Sequence, residues 1–311
     1  MPEVCEVALT AQYLLTKLKG RYITALKVVG GKYMRLPLPG LDLISQNSLP
    51  LEIINIHTKG KFMWFELLGN DQRLFIFNHF GMTGEWSFKK DSNDRIILDI
   101  ETDPNNVINK KYKLHFADQR NFGKFEISDD EKRLQEKIQS LAPDILKTNF
   151  TSDQFLSWIK KYIEKSNKRS KVPIVKVLMR QNIDDGICSG IGNYLSSEIL
   201  YRAKISPFRQ IGSLSEDEIK VLAFTIKRVV KLCYISNITG YMTKLSHFVE
   251  KHKEKVDSGI FPNYHPDIKL ESGETFKFLV YRRKEDDFGN PVKVDVIIKP
   301  RSTYWVPNVQ I

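Results

Sequence analysis

The stretch Gly190-Ile191-Gly192-Asn193-Tyr194-Leu195-Ser196-Ser197-Glu198-Ile199-Leu200 decides how the chain is read. It looks like half of a dinucleotide fingerprint, which would make the fold a doubly wound parallel sheet. That fingerprint follows a strand and carries a third glycine. Here the preceding residues, 174–181, have helical character and the third glycine is absent. The parallel-sheet reading fails. What survives is a glycine turn that brings backbone N–H groups, Gly192 among them, and the Asn193 side chain to a helix N-terminus. Such a turn suits a phosphate.

Helical signals surround this turn. Thr151-Ser152-Asp153-Gln154 and Ser215-Glu216-Asp217-Glu218 are capping-box patterns, and the second opens a helix running to about Tyr234. Residues 165–171 form a cationic run, read as a solvated loop. Residues 241–275 are polar and irregular. The tail returns to β character at 276–283, 292–298 and 303–306, with a turn at 286–291.

Toward the N-terminus, residues 6–19 place Val7, Ala11, Leu14, Leu15 and Leu18 on one helical face and stop at Gly20. Short β-rich runs follow at 22–29, 51–57, 61–67, 73–77, 95–100, 112–116 and 124–127, as in a sandwich or barrel. Loops at 37–50 and 103–110 interrupt them. The expected fold class is α+β: an N-terminal helix with a two-sheet β-sandwich, a helical domain, and a C-terminal antiparallel hairpin.

Composition narrows the function. The 311 residues allow two domains, and 41% hydrophobic residues is a globular value. Lysine and arginine number 48 against 37 acidic residues, a net charge of +11. This excess fits a polyanion partner, nucleic acid before membrane, and is equally compatible with simple solubility. The three cysteines, Cys5, Cys188 and Cys233, are far apart and form no CxxC pair, so neither a cysteine zinc site nor a disulfide framework is expected. The six histidines form no compact ligand set. No signal-peptide core or long apolar run appears, so a soluble intracellular protein is expected.

The chain begins Met1-Pro2-Glu3-Val4-Cys5-Glu6. With Met1 removed, Pro2 would be a secondary amine followed directly by a carboxylate. An α-amine has a pKa near ~8 against ~10.4 for lysine, so part of it is an unprotonated nucleophile at neutral pH. With Met1 attached, the same nitrogen is an amide and inert. Lys61 follows Gly60 at a strand start, where it can reach a phosphate or a ribose. Two loops, 78–84 and 118–123, present Met82, Arg120 and Phe122 near glycines. Such tips suit insertion into a base stack, although each is also compatible with an ordinary packed hairpin.

Together these segments resemble the formamidopyrimidine-DNA glycosylase/endonuclease VIII (Fpg/Nei) family over nearly the whole chain. The resemblance rests on Pro2-Glu3 with Glu6, Gly60-Lys61, His79 with Met82-Thr83-Gly84, Arg120 with Phe122-Gly123, Gly190–Glu198 with Ala203 and Pro207, and Arg301-Ser302-Thr303-Tyr304-Trp305. The family's four zinc cysteines are missing from 286–291 and from Val306-Pro307-Asn308-Val309. The chain therefore looks like the zincless-finger branch, as in vertebrate endonuclease VIII-like glycosylases and, closest in type, the giant-virus (mimivirus) enzyme. Cys5, Gln119, Asn121 and Arg180 depart from the family pattern; Asn121 stands where a second arginine is usual.

The resemblance implies a bifunctional DNA glycosylase/AP lyase of base excision repair, acting on oxidised bases with pyrimidines and hydantoins favoured. Pro2 would be the nucleophile, Glu3 the acid/base, Glu6 and Lys61 supporting groups at the sugar and phosphate, and Arg301 a phosphate ligand aiding δ-elimination. Met82, Arg120 and Phe122 would fill the gap left by a flipped base, and Lys176, Gly192 and Asn193 would bind phosphate. No metal and no cofactor, zinc included, are implied. The implied partner is damaged DNA, double-stranded or in a bubble or single strand, met by a monomer. The location would be a nucleus, or a cytoplasm or viral factory. The implied domains are 1–128 catalytic, 129–150 linker, 151–275 helix–two-turn–helix and 276–311 zincless finger. The alternatives are a formamidopyrimidine- or 8-oxoguanine-preferring enzyme, and a catalytically weakened damaged-DNA-binding protein of the same fold. A structural or RNA-binding protein would need neither a free Pro2 nor the wedge loops.

Overall fold

Apolar side chains recur at helical spacing from the fourth residue, and they form α1 (Val4–Leu18), whose Val7, Ala11, Leu14 and Leu18 are buried. The computed structural model describes residues 2–44, 48–69, 72–106, 108–236 and 251–311. These divide into two compact units. The first holds Pro2 and Glu6–Ile138; the second holds Glu3–Cys5 and the described residues from Gln139 onward.

The first unit is built on one continuous antiparallel ladder of eight strands: β1 (Tyr22–Val28), β2 (Leu51–Lys59), β3 (Phe62–Gly69), β4 (Gln72–His79), β5 (Gly84–Ser87), β6 (Asp94–Glu101), β7 (Lys111–Asp118) and β8 (Lys124–Ser128). The order is β5-β7-β6-β1-β2-β3-β4-β8. The join between β1 and β2 is narrow, with Tyr22 opposite Glu52 and Ile23 opposite Leu51. The two halves fold onto each other as layers: Trp86 of β5 meets Phe65 of β3 at 5.5 Å between ring centroids, and Phe116 of β7 meets Phe125 of β8 at 4.7 Å. The expected two-layer sandwich is thus present, hydrogen-bonded through one edge. The strand β5 carried too few residues to stand out in the sequence. Alternation of buried and half-buried residues along β6 shows why these strands face one core.

The second unit is helical. It contains α3 (Ser152–Glu164), α4 (Ile174–Met179), α5 (Asn193–Arg202), α6 (Glu216–Ser236) and α7 (His252–Asp257), while α2 (Glu131–Ser140) lies in the first unit up to Ile138. Both expected capping boxes form. Thr151 Oγ1 accepts from the Gln154 N–H while Gln154 accepts from the Thr151 N–H. Ser215 and Glu218 exchange the same pair of bonds. Residues 129–150, read as a linker, carry α2 and a buried run of Leu141, Ala142, Ile145, Leu146 and Phe150, so they are part of the packed structure. Of the polar stretch 241–275, residues 241–250 lie outside the described residues; α7 occupies part of the remainder.

The tail corrects one expectation. Strands β9 (Lys293–Ile298) and β10 (Arg301–Trp305) pair as a hairpin, but residues 276–283 are not a strand. Their amides have another partner. The fully buried Glu198 carboxylate on α5 accepts the N–H groups of Leu279, Val280 and Tyr281 at 2.9–3.0 Å and also pairs with Arg202. A segment wrapped around a carboxylate cannot present those donors to a ladder. Replacing Glu198 by Ala should destabilise the protein by about 3 kcal/mol or more, because several buried donors lose their acceptor together. Glu198→Gln, which keeps one acceptor oxygen, should lose less; denaturant unfolding of both variants measures the difference.

Candidate active site

Glu3 is buried at the N-terminus of α5. Its carboxylate accepts the N–H groups of Gly192 and Tyr194, the latter at 3.0 Å, with the Leu195 N–H at 3.4 Å. The positive end of the helix dipole and the N–H groups of its first turn hold an anion here. The glycine turn read as a phosphate site thus directs its donors to the chain's own carboxylate, and the Gly192 N–H is engaged by Glu3. The turn brings this about by close approach. Gly190 adopts φ +115°, accepts the Val4 N–H at 3.1 Å, and lies so near Val4 that an added Cβ would stand 2.7 Å from the Val4 Cβ. Gln181 braces the turn, its amide bonding the Gly190 N–H and the Ile191 carbonyl.

The same helix end reaches the hairpin. The Asn193 amide donates to the Ser302 carbonyl at 2.8 Å, immediately after Arg301, the half-buried first residue of β10. Glu3, Gly192, Asn193 and Arg301 are therefore assembled within one unit. Lys176 lies half-buried on α4, among the buried Ile174, Val175, Val177 and Leu178. In the turn that precedes β9, the buried Asp286 accepts from the Tyr201 hydroxyl at 2.9 Å, the Asn290 amide at 2.9 Å, and the Phe288 and Asn290 N–H groups. Burial alone would raise the Asp286 carboxyl; the donors from Asn290, Tyr201 and Phe288 outweigh it and bring it to about 2. Burial, followed by the Asp286 carboxylate, pushes the Tyr201 phenol up to about 12.

The first unit supplies the other residues. Pro2 and Glu6 are buried at the start of α1. Lys61 is not the first residue of a strand: Lys59 pairs with Phe62, which makes Gly60-Lys61 a two-residue hairpin turn and puts Lys61 at its tip. Met82 is half-buried between β4 and β5. Arg120 and Phe122 are exposed between β7 and β8, with the guanidinium 5.3 Å from the Phe122 ring centroid. His79 ends β4 against Phe62 at 5.0 Å. Burial, then the Lys137 and Lys124 charges, lowers its pKa to about 4, so it is neutral at pH 7.

Three models of formamidopyrimidine-DNA glycosylase domains match the chain in sequence: the N-terminal domain over residues 1–125, the H2TH domain over 141–241 and the C-terminal domain over 266–311. The chain belongs to the formamidopyrimidine-DNA glycosylase family. The formamidopyrimidine-DNA glycosylase of Zymomonas mobilis is 29% identical over 235 residues, covering 74% of this chain and 77% of that one. That of Carboxydothermus hydrogenoformans is 27% identical over 237 residues, covering 75% and 77%. Among solved structures, the Lactococcus lactis enzyme in complex with abasic-site DNA superposes with a TM-score of 0.71 at 18% identity, covering 99% of both chains. A mutant of it with Fapy-dG-containing DNA gives 0.71 at 19%, again covering 99% of both. These likenesses confirm the fold.

Within this family fold, the C-terminal hairpin does not fit a zinc ion. Residues 276–311 contain neither cysteine nor histidine, and the Asp286 oxygens already accept from Tyr201 and Asn290. Among the described residues, no group of three or more His, Cys, Asp or Glu is disposed to hold a metal, and no helix is long and apolar enough to cross a membrane. Sequence reasoning missed Gln181, Glu198, Tyr201 and Asp286 as organisers of the site. Glu198 had a signal, an acid in a segment otherwise small or apolar; Asp286 signalled only the local turn that it forms with Phe288 and Asn290, and its bond to Tyr201, 85 residues away, had no signal.

His79 and His252, which burial also lowers to about 4, link stability to acid. Their folded pKa lies below the unfolded 6.5. Their contribution is complete above pH 6.5 and is lost as pH falls toward 4. The urea midpoint should drop through that window, and His79→Gln should flatten the drop.

Proposed function

We propose that this DNA glycosylase of the formamidopyrimidine type is a bifunctional glycosylase/AP lyase that excises oxidised bases through a Schiff base on Pro2. The observation that carries the reading is the Glu3 carboxylate seated on three amides at the N-terminus of α5, those of Gly192, Tyr194 and Leu195, next in sequence to Pro2 and in one unit with Asn193 and Arg301. A carboxylate so oriented suits proton transfer at a sugar.

In this scheme Met1 has been removed. The Pro2 nitrogen lone pair forms a bond to C1′ of a flipped nucleotide, and the N-glycosidic bond breaks as the base leaves with the electron pair and takes a proton from water. Glu3 takes up the proton that the Pro2 nitrogen loses and passes it to the ring oxygen, the C1′–O4′ bond breaks to open the sugar, and a Pro2 iminium remains. A base takes a C2′ proton, the C–H electron pair passes into the iminium, and the C3′–O bond breaks to expel the 3′ phosphate; removal of the C4′ proton then drives δ-elimination, which breaks the C5′–O bond and expels the 5′ phosphate. Glu6 and Lys61 support the amine and the sugar phosphate. Arg301 binds the phosphate beside the lesion, with Lys176 and Asn193 on neighbouring phosphates. Gly192 serves indirectly, by holding Glu3. Met82, Arg120 and Phe122 occupy the space of the extruded base; extrusion costs a few kcal/mol, which wedge insertion and phosphate neutralisation offset.

We place the chain in the zincless, endonuclease VIII-like branch near the giant-virus type, working as a monomer on duplex, bubble or single-stranded damaged DNA without a metal or cofactor. The proposed organisation is a catalytic domain over 1–128, a DNA-binding helical domain over 151–275 and a hairpin over 276–311. The cellular site would be a nucleus, cytoplasm or viral factory. The missing zinc ligands favour pyrimidine and hydantoin substrates by that analogy. The names of the curated relatives favour a second reading, a preference for formamidopyrimidines and 8-oxoguanine.

Borohydride should trap the processed protein covalently on abasic or thymine-glycol DNA. Pro2→Gly, or an N-terminal tag left in place, should abolish the adduct. A normal adduct with the tag uncleaved would falsify the Pro2 assignment. A panel of thymine glycol, hydantoin and 8-oxoguanine duplexes separates the two substrate readings.

A further inference from the structure

The loop that presents Arg120 and Phe122 is gripped by residues 30–34, a piece of chain that no motif singled out. Asn121 adopts φ 58°, a left-handed conformation that asparagine tolerates better than most residues. Its Oδ1 accepts the Lys32 N–H at 3.2 Å. The approach is close enough that a Cβ on Gly31 would meet that oxygen. The Lys32 Nζ donates to the Gly123 carbonyl at 2.5 Å. Lys32 therefore bonds to both sequence neighbours of Phe122.

Other bonds close the frame. The Asp118 carboxylate accepts the Gly123 N–H at 2.6 Å and the Thr83 hydroxyl at 2.5 Å. Thr83 Oγ1 accepts the Arg120 N–H at 3.0 Å. The Asp118 carbonyl accepts Arg95 Nε and the Asn121 N–H. Arg120, Asn121 and Gly123 are each tied down, while Phe122 stands 52% exposed. A large apolar side chain held open to solvent by so many bonds is an arrangement that core packing does not require.

We propose that Asn121 and Lys32 are positioning residues that pre-form the Phe122 wedge, so that the ordering entropy of the loop is met during folding rather than on opening a duplex. This rests on the glycosylase reading above. It also gives Asn121 a role of its own at a position where the family usually has arginine: it shapes the wedge from behind through its backbone conformation and its side-chain acceptor.

The variants Asn121→Ala, Asn121→Gly and Lys32→Met test this. Glycine keeps the left-handed backbone and loses the acceptor; alanine loses both. On a lesion in duplex DNA, kcat/KM should fall about tenfold for Asn121→Ala and Lys32→Met and less for Asn121→Gly. On the same lesion in single-stranded DNA, where no partner base is displaced, it should stay within about twofold of wild type. Amide hydrogen exchange at Arg120 and Gly123 should accelerate in Asn121→Ala and Lys32→Met without a matching loss of global stability. Parallel loss on both substrates, no loss on either, or unchanged exchange at these amides overturns the proposal. Wild-type protein that processes neither substrate sinks the glycosylase reading instead, and the exchange data still decide whether the loop is pre-formed.

Discussion

The carboxylate of Glu3 on the N-terminus of α5 is the contact on which the site depends. It brings backbone dipoles and N–H groups to a buried carboxylate near the start of the chain, and these offset much of the cost of burying it. The same contact explains the glycine turn. Only a residue without a side chain lets Val4 come close enough for its N–H to reach the Gly190 carbonyl. Gln181, far from any proposed chemistry, then serves to keep that turn in shape.

The hairpin shows a second use of buried acids. Glu198 gathers three consecutive amides ahead of the hairpin, and Asp286, in the turn that precedes β9, gathers two amides, an asparagine and the Tyr201 hydroxyl of α5. Each is a carboxylate whose acceptor capacity is filled by groups that would otherwise be buried and unpaired. Such clasps do the work of orienting a short two-stranded ribbon, which is marginal alone. The apolar contacts of Tyr201, Val280 and Val306 complete the attachment.

In the first unit, the loop at 118–123 divides the same labour. Arg120 and Phe122 face outward, and their neighbours Asp118, Asn121 and Gly123 bond inward to β-strand ends and to residues 30–34. Exposed side chains and a hydrogen-bonded backbone coexist in this loop because different residues carry each.

By itself the sequence determined the α+β class, the capping boxes, most strands, the failure of the dinucleotide reading and the family's characteristic residues. All of these rest on spacing within a few residues: the periods of helix and strand, the reach of a capping side chain, the order of short motifs. The tertiary structure alone decided where the donors of the glycine turn go, why 276–283 is not a strand, how Lys61 comes to sit at a turn, and what Asn121 does. Each of these depends on a partner tens to hundreds of residues away or on a strand register. Local patterns carry no record of which distant donor meets which acceptor; only the packed chain, where every buried polar group must be satisfied, settles it.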